Sequence, residues 1–390
     1  MATFQPAVGQ HVFLSREGFV SLVNLLRDEG YTVIGPTVAQ GVIALREIES
    51  AEQLAHGVRD EQRRGSYRLM PASGDLQFQF VVGADSPKRY LFPPSHRIFK
   101  VRAEDGRLVF TAGPPQPPKM AMVGIRPCEL AGIQVSDRVF TGRSRCETDS
   151  YYTRARAMMM TVVVNCTRPG GNCFCSSMGT GPSAKEGFDL ALTELRGGFL
   201  MKVGSARGAQ ISGRLDIREP SPAEMELADL RLELARERME KSLNTSGIVE
   251  LLAKNLEHPR YAETARRCLG CGNCTMVCPT CFCSSVVDSS DVAGGEMGRT
   301  RLWESCFTHQ FSYTTAGPIR PSIRARYRHW LRHKLATYWE QFGCSGCVGC
   351  GRCITWCPVG IDLTEEVEAI RATAAPAGAE PKHKKESEVA

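Results

Sequence analysis

No stretch of this 390-residue chain approaches the ~18 consecutive apolar residues that a membrane-spanning helix needs. A membrane span is therefore not expected. Met1-Ala-Thr-Phe-Gln-Pro6 offers neither a basic region nor an apolar core, which argues against a secretory leader. There is no G-x-G-x-x-G fingerprint and no phosphate loop ending in Gly-Lys-Ser/Thr. The closest approach, Met178-Gly-Thr-Gly-Pro-Ser183, reads as a turn. The eight histidines are scattered without a ligand pattern, and no Ser-His-Asp set or candidate nickel site emerges. A net charge of +6 is too small to argue for nucleic acid, and no aromatic-interleaved binding motif accompanies it. One residue type is in excess. Seventeen cysteines without a leader point to metal ligation in a reducing cytoplasm rather than to disulfides.

Two stretches hold most of the thiols in order. Cys268-Leu-Gly-Cys271-Gly-Asn-Cys274-Thr-Met-Val-Cys278-Pro279 recurs as Cys347-Val-Gly-Cys350-Gly-Arg-Cys353-Ile-Thr-Trp-Cys357-Pro358. Both read C-x2-C-x2-C-x3-C-P, the spacing of a ferredoxin [4Fe–4S] cluster. Three thiolates wrap one cluster, and the fourth reaches the other cluster in two-cluster proteins. The expected ligand sets are thus Cys268, Cys271, Cys274 with Cys357, and Cys347, Cys350, Cys353 with Cys278. Structural zinc usually takes its four ligands from two separated C-x2-C pairs, and it leaves the proline unexplained.

Along the chain, Phe19, Leu22, Val23 and Leu26 mark an amphipathic helix, capped by Ser15 and stopped at Gly30. Strands are expected at Tyr31–Ile34, Gly41–Leu45, Gln77–Val82 and Leu108–Thr111. The runs Met120–Ile125 and Ala157–Asn165 suit strands buried on both faces. Asp189–Leu195 and Phe199–Val203 read as a hairpin. Residues 1–220 then form an α/β (or α+β) domain. A helical linker follows over 221–257, starting at Ser221-Pro222. An all-α helical two-cluster ferredoxin domain is expected over 258–371, with helices at Arg260–Arg267 and Ser322–Phe342. The Ala-, Pro- and Lys-rich tail, 372–390, reads as disordered.

Cys128, Cys166, Cys173 and Cys175 form a second constellation. Cys128 and Cys166 each follow an apolar strand, and ligands of open α/β sheets gather at such strand ends. Either these thiols hold a third metal site or they fill the core, as small buried cysteines often do. The Cys173-Phe-Cys175 pair on a Gly-rich loop favours metal. Cys281, Cys283 and Cys306 read as packing or support beside Cys278. Cys146 and Cys344 have no evident partner. The run Arg320, Arg324, Arg326, Arg328, His329, Arg332, His333, Lys334 is either a solvated helix face or a docking surface for an acidic partner.

Longer stretches resemble a known family. They are Gly124-Ile-Arg-Pro-Cys128-Glu-Leu, Asn165-Cys166 through Cys173-Phe-Cys175-Ser-Ser-Met-Gly-Thr-Gly-Pro182, and Ala265-Arg-Arg-Cys268 through Cys283. Glu304-Ser-Cys306-Phe and Gly346-Cys347 through Pro358-Val-Gly-Ile-Asp-Leu complete the set. From about residue 10 to 370 the chain resembles the iron–sulfur beta subunit of soluble NAD(P)-linked [NiFe] hydrogenases, or sulfhydrogenases. The corresponding iron–sulfur component of anaerobic sulfite reductase is closely similar. The resemblance implies a cytoplasmic, non-catalytic member of a hetero-oligomer. It would relay single electrons between the [NiFe] small and large subunits and a flavoprotein that binds NAD(P). A self-contained iron–sulfur reductase is the rival reading.

Overall fold

Met120–Ile125 and Met160–Val164 are buried at every position, which only a strand covered on both faces achieves. They sit at the centre of an eight-stranded sheet in the computed structural model, which describes residues 5–113, 116–142, 148–292 and 295–373. Across the sheet the order is Ile217–Arg218, His11–Ser15, Gly198–Val203, Leu190–Leu195, Met160–Val164, Met120–Ile125, Thr32–Ala39, Val42–Glu47. Thr32–Ala39, Met120–Ile125, Met160–Val164 and Leu190–Leu195 run parallel to one another, and antiparallel strands close both sides. The expected hairpin is present, with Leu192 opposite Met201.

Helix Arg16–Asp28 covers the sheet with Phe19, Leu22, Val23 and Leu26, and the Ser15 hydroxyl accepts from the Gly18 N–H at 3.0 Å. Helix Pro127–Phe140 starts directly past Ile125. Its first turn is fixed by the Glu129 carboxylate, which accepts from the Arg126 backbone N–H at 2.8 Å. The carboxyl ends of two central strands therefore deliver Cys128 and Cys166 to one edge of the sheet.

Two expectations are corrected. Gln77–Val82 is not a strand. Side-chain carboxylates take its backbone N–H groups instead, Glu194 accepting from Gln77 and Phe78 (2.5 and 2.8 Å) and Asp60 from Val81 (2.8 Å). Nor are residues 258–371 all-helical. Ser284–Ser290 and Glu296–Trp303 pair as a hairpin, and Glu296–Trp303 adds to Ser95–Glu104, itself paired with Arg107–Ala112. This four-stranded sheet joins the two halves of the chain. Ser284-Ser-Val-Val-Asp-Ser-Ser290 is mostly exposed and has no apolar face to announce it as a strand.

The helices around the cysteine motifs have their own core, including Tyr261, Tyr327, Trp330, Leu331, Leu335, Ile354, Leu363, Val367 and Ile370. Helix Leu363–Thr373 is tied to Arg260–Arg267 through the buried Glu366 carboxylate. It accepts from Arg260 (2.6 Å), Arg267 (2.5 Å) and the Thr264 hydroxyl (2.6 Å). The helix that enters Cys268 is thereby held in place. Ser322–Phe342 is helical as expected, but its middle, His333–Thr337, is a π-helical turn between Ile323–Arg332 and Tyr338–Phe342. Such turns recur at functional sites. Helix Pro222–Glu237 is capped by Ser221 and Glu224, and Ala228 packs against Phe13, Leu195 and Leu200 of the main sheet. Among the described residues no helix is long and apolar enough to cross a membrane. Cys146 and the tail from 374 onward lie outside the described residues.

Candidate metal centre

Both cysteine motifs fold alike because both carry glycine where the backbone turns left-handed. Gly349 (φ 64°) and Gly351 (φ 73°) also admit no side chain. A Cβ on Gly349 would lie 2.6 Å from the Phe174 carbonyl oxygen, and one on Gly351 would lie 2.3 Å from that of Asn172. Past the last glycine of each copy a short helix, Asn273–Met276 or Arg352–Thr355, carries the third cysteine. Backbone N–H groups point at sulfur in equivalent places. Gly270 donates to Cys268 Sγ at 3.4 Å, Gly349 to Cys347 Sγ at 3.5 Å, and Ile361 to Cys357 Sγ at 3.3 Å. Donors of this kind favour charged sulfur, and hydrogen bonds to sulfur tune cluster potentials.

Cys268, Cys271, Cys274, Cys357 and Cys353 line one pocket, walled by Phe307, Tyr327 and Trp330. The first motif's triad thus meets the last cysteine of the second. Cys271 is the exposed thiol of this group. On the other side, burial pushes the Cys347 thiol up to about 12, and the neighbouring charges of Cys350 and Cys278 push the same way. Burial likewise raises Cys353, with Cys347, Cys350 and Cys278 as charged neighbours. Cys278 is joined to the start of the second motif through Lys334, which bonds both its sulfur and the Gly346 carbonyl. Its thiol is held well below the usual range, first by a hydrogen bond from Cys281 and then by Lys334. The buried Lys334 Nζ donates to Cys278 Sγ at 3.0 Å and to the Gly346 carbonyl at 3.3 Å, and lies 3.7 Å from Cys281 Sγ.

All sixteen described cysteines are free thiols. None of the described His, Cys, Asp or Glu side chains gather in threes as a single-ion site would require. Thiols spread around a void, with backbone donors aimed at sulfur, fit a multi-iron cluster in which each iron takes one cysteine. The eight cysteines of the two motifs are the residues that would hold two such clusters.

The N-terminal constellation also converges. Cys128, Cys166, Cys173 and Cys175 line a second pocket with Cys350, Arg126, Arg352, Met239, Gly181 and Pro182. The Met178–Ser183 segment is indeed a turn against this site. Of the remaining thiols, Cys283 is lowered to about 7 by a hydrogen bond from Cys306, and Cys281 sits beside Cys278. Cys344 is half-buried and packs against the apolar cluster that includes Cys128, Cys175, Tyr338 and Phe342.

Four charged residues escape sequence reasoning because distant segments supply them. Lys88 Nζ is buried, donates to the Met276 and Cys281 carbonyls (3.2 Å each), and lies 3.9 Å over the Trp303 ring. Arg352 Nη2 donates to Glu129 Oε1 at 2.7 Å and its Nε to the Gly83 carbonyl at 2.9 Å. Arg126, Arg352, Lys88 and Lys334 ring the thiol sites with positive charge, which favours thiolates and offsets their mutual repulsion. The basic run is used mainly within the chain. Arg324 and Arg328 pair with Glu257, Arg326 donates to the Phe307 carbonyl at 2.6 Å, and Lys334 serves Cys278.

Comparison with known proteins agrees with this geometry. The family model described as a 4Fe-4S dicluster domain matches residues 267–361, which span both motifs. The "Sulfhydrogenase 2 subunit beta" of Pyrococcus furiosus is 30% identical over 365 residues, covering 93% of this chain and 98% of the relative. No solved structure matches the chain. With that identity maintained over nearly its whole length, and with both cluster motifs intact, the chain belongs to the sulfhydrogenase beta-subunit family, as an iron–sulfur subunit.

Proposed function

We propose that this chain relays single electrons through two [4Fe–4S] clusters within a cytoplasmic hydrogenase complex. The partners are a flavoprotein that binds NAD(P) and the small and large subunits of a [NiFe] hydrogenase, in a hetero-oligomer. One observation carries the reading. Cys357 shares a pocket with Cys268, Cys271 and Cys274, and Lys334 joins Cys278 to the Gly346 carbonyl, which supports two clusters within one core. Bound clusters supply one-electron redox chemistry. The chain's own residues position the thiolates, exclude water with Phe307, Tyr327 and Trp330, and set the charge around the sulfurs.

The isolated chain is expected to accept electrons from an artificial donor, yet neither to oxidise hydrogen nor to bind NAD(P)H. In the assembled complex, loss of either cluster should cut hydrogen-to-NAD(P) flow while each partner keeps its own half-reaction. Substrate turnover by the isolated chain would defeat the relay reading. So would undiminished flow in a complex lacking both clusters.

Lys334 provides a finer test. A buried ammonium beside Cys278 favours the reduced, more negative state of the cluster that this thiol would hold. Lys334→Met should lower that cluster's midpoint potential by about 100 mV, the order of a unit charge at ~6 Å in an effective dielectric of about 20. Lys334→Arg should keep most of the potential. Redox titration followed by electron paramagnetic resonance reads both, and equal potentials in parent and Met variant would refute this role.

A further inference from the structure

We infer that Cys128, Cys166, Cys173 and Cys175 hold a third iron–sulfur cluster, opposed by a buried arginine and set against the loop of the second motif. This rests on the relay reading and extends it to a site outside the matched dicluster segment.

Four observations on the pocket support the assignment. Its thiols come from three separate places: the start of helix Pro127–Phe140, the end of strand Met160–Val164, and the 170–175 loop. All four are buried, and no disulfide joins them. The chain also comes unusually close to the sulfurs, since a Cβ on Gly181 would lie 2.7 Å from Cys175 Sγ.

The fourth observation concerns charge. Arg126 is 1% exposed and lines this pocket, yet no carboxylate forms a salt bridge with it among the described residues. Its Nη1 donates to the Val164 and Asn165 carbonyls (3.3 and 3.4 Å), and its Nη2 to those of Phe78 (3.0 Å) and Phe80. Those bonds fix the guanidinium plane. Its Nε is left buried without a hydrogen-bond partner. A buried guanidinium with an idle donor, near the Glu129 and Glu194 carboxylates but bonded to neither, is stabilised further when an anion joins it. A cubane with four thiolate ligands carries a net negative charge in its usual states and would supply that anion. Neutral packing cysteines would not. Arg352 lines the same pocket, but Glu129 already balances it.

The position suits a relay. Phe174 N–H donates to the Gly349 carbonyl at 2.9 Å, and Cys173 Sγ lies 3.9 Å from the Cys350 carbonyl oxygen. The loop of this site therefore touches the loop of the second motif directly. Cys353 of that motif lines the pocket of the first motif, and its Cys350 lines this one. The second motif thus stands between the exposed Cys271 and the carboxyl edge of the main sheet.

The test is iron and acid-labile sulfide in the anaerobically isolated full-length chain, with paramagnetic resonance of its reduced clusters. About twelve irons per chain are expected, against about eight for the dicluster segment alone. Cys166→Ser with Cys173→Ser should remove about four irons and one signal, leaving the two ferredoxin-type signals. If that variant fails to fold, the parent's iron count still decides. About eight irons with two signals in the parent overturns this inference alone. About twelve irons retained in a folded double variant overturns the ligand assignment. Loss of the two ferredoxin-type signals from the parent would bring down the relay reading as well.

Discussion

Replacing Cys278 with alanine should remove the cluster of the second motif, and replacing Cys357 should remove that of the first. Each variant loses about four irons, and the surviving signal belongs to the motif that carries the substitution. The expectation follows from where the fourth cysteines lie. Cys357 shares a pocket with Cys268, Cys271 and Cys274. Cys278 is linked through Lys334 Nζ to the Gly346 carbonyl, next to Cys347 (3.0 and 3.3 Å). Each fourth sulfur has a local partner, the Ile361 N–H at 3.3 Å from Cys357 Sγ and Thr280 Oγ1 at 3.1 Å from Cys278 Sγ, and Thr280 also donates to the Gly346 carbonyl of the second motif at 2.6 Å. Cys353 also reaches the first pocket, so Cys353→Ala should perturb both signals where Cys347→Ala perturbs one. Site-labelled Mössbauer or resonance spectra of the four variants would check the pattern. A variant that loses the cluster of its own motif would refute the crossing.

Local spacing made these eight cysteines readable, because a cluster loop is built from one short segment with glycine at its turns. The same holds for the buried strands Met120–Ile125 and Met160–Val164, whose apolar runs depend on nothing distant. Cys128, Cys166, Cys173 and Cys175 were legible only as a gathering at strand ends, since their approach depends on the sheet order. What stayed hidden depends on partners far along the chain. Lys88 meets the carbonyls of Met276 and Cys281 across nearly half the sequence, and Arg352 meets Glu129 likewise. The hairpin Ser284–Ser290 with Glu296–Trp303 acquires its role only by adding to Ser95–Glu104. For the basic run, charge in a sequence does not show that Glu257 will face Arg324 and Arg328.

The Arg352–Glu129 pair gives the largest expected effect on stability. Both side chains are buried, 5% and 0% exposed, and they join the second motif's short helix to the helix that carries Cys128. Arg352 also holds the Gly83 carbonyl, so one guanidinium fastens three segments. Removing one partner of a buried pair leaves an uncompensated charge and typically costs about 3–5 kcal/mol. Arg352→Leu should therefore lower the denaturant midpoint strongly. Replacing both residues by leucine should recover much of the loss, less about 1 kcal/mol for the lost cap on the Arg126 N–H. The pH dependence has a definite sign. Burial already holds the Glu129 carboxyl above its ordinary range, against the pull of Arg352. Without that cation it rises further, so the folded variant binds a proton that the unfolded chain releases near about pH 4.3. The variant's deficit should then be small at about pH 4 and grow as pH rises through the elevated folded value. Anaerobic denaturation curves at several pH values would measure this. A midpoint equal to the parent's, or a double variant weaker than the single one, would show that the pair does not clamp the two halves.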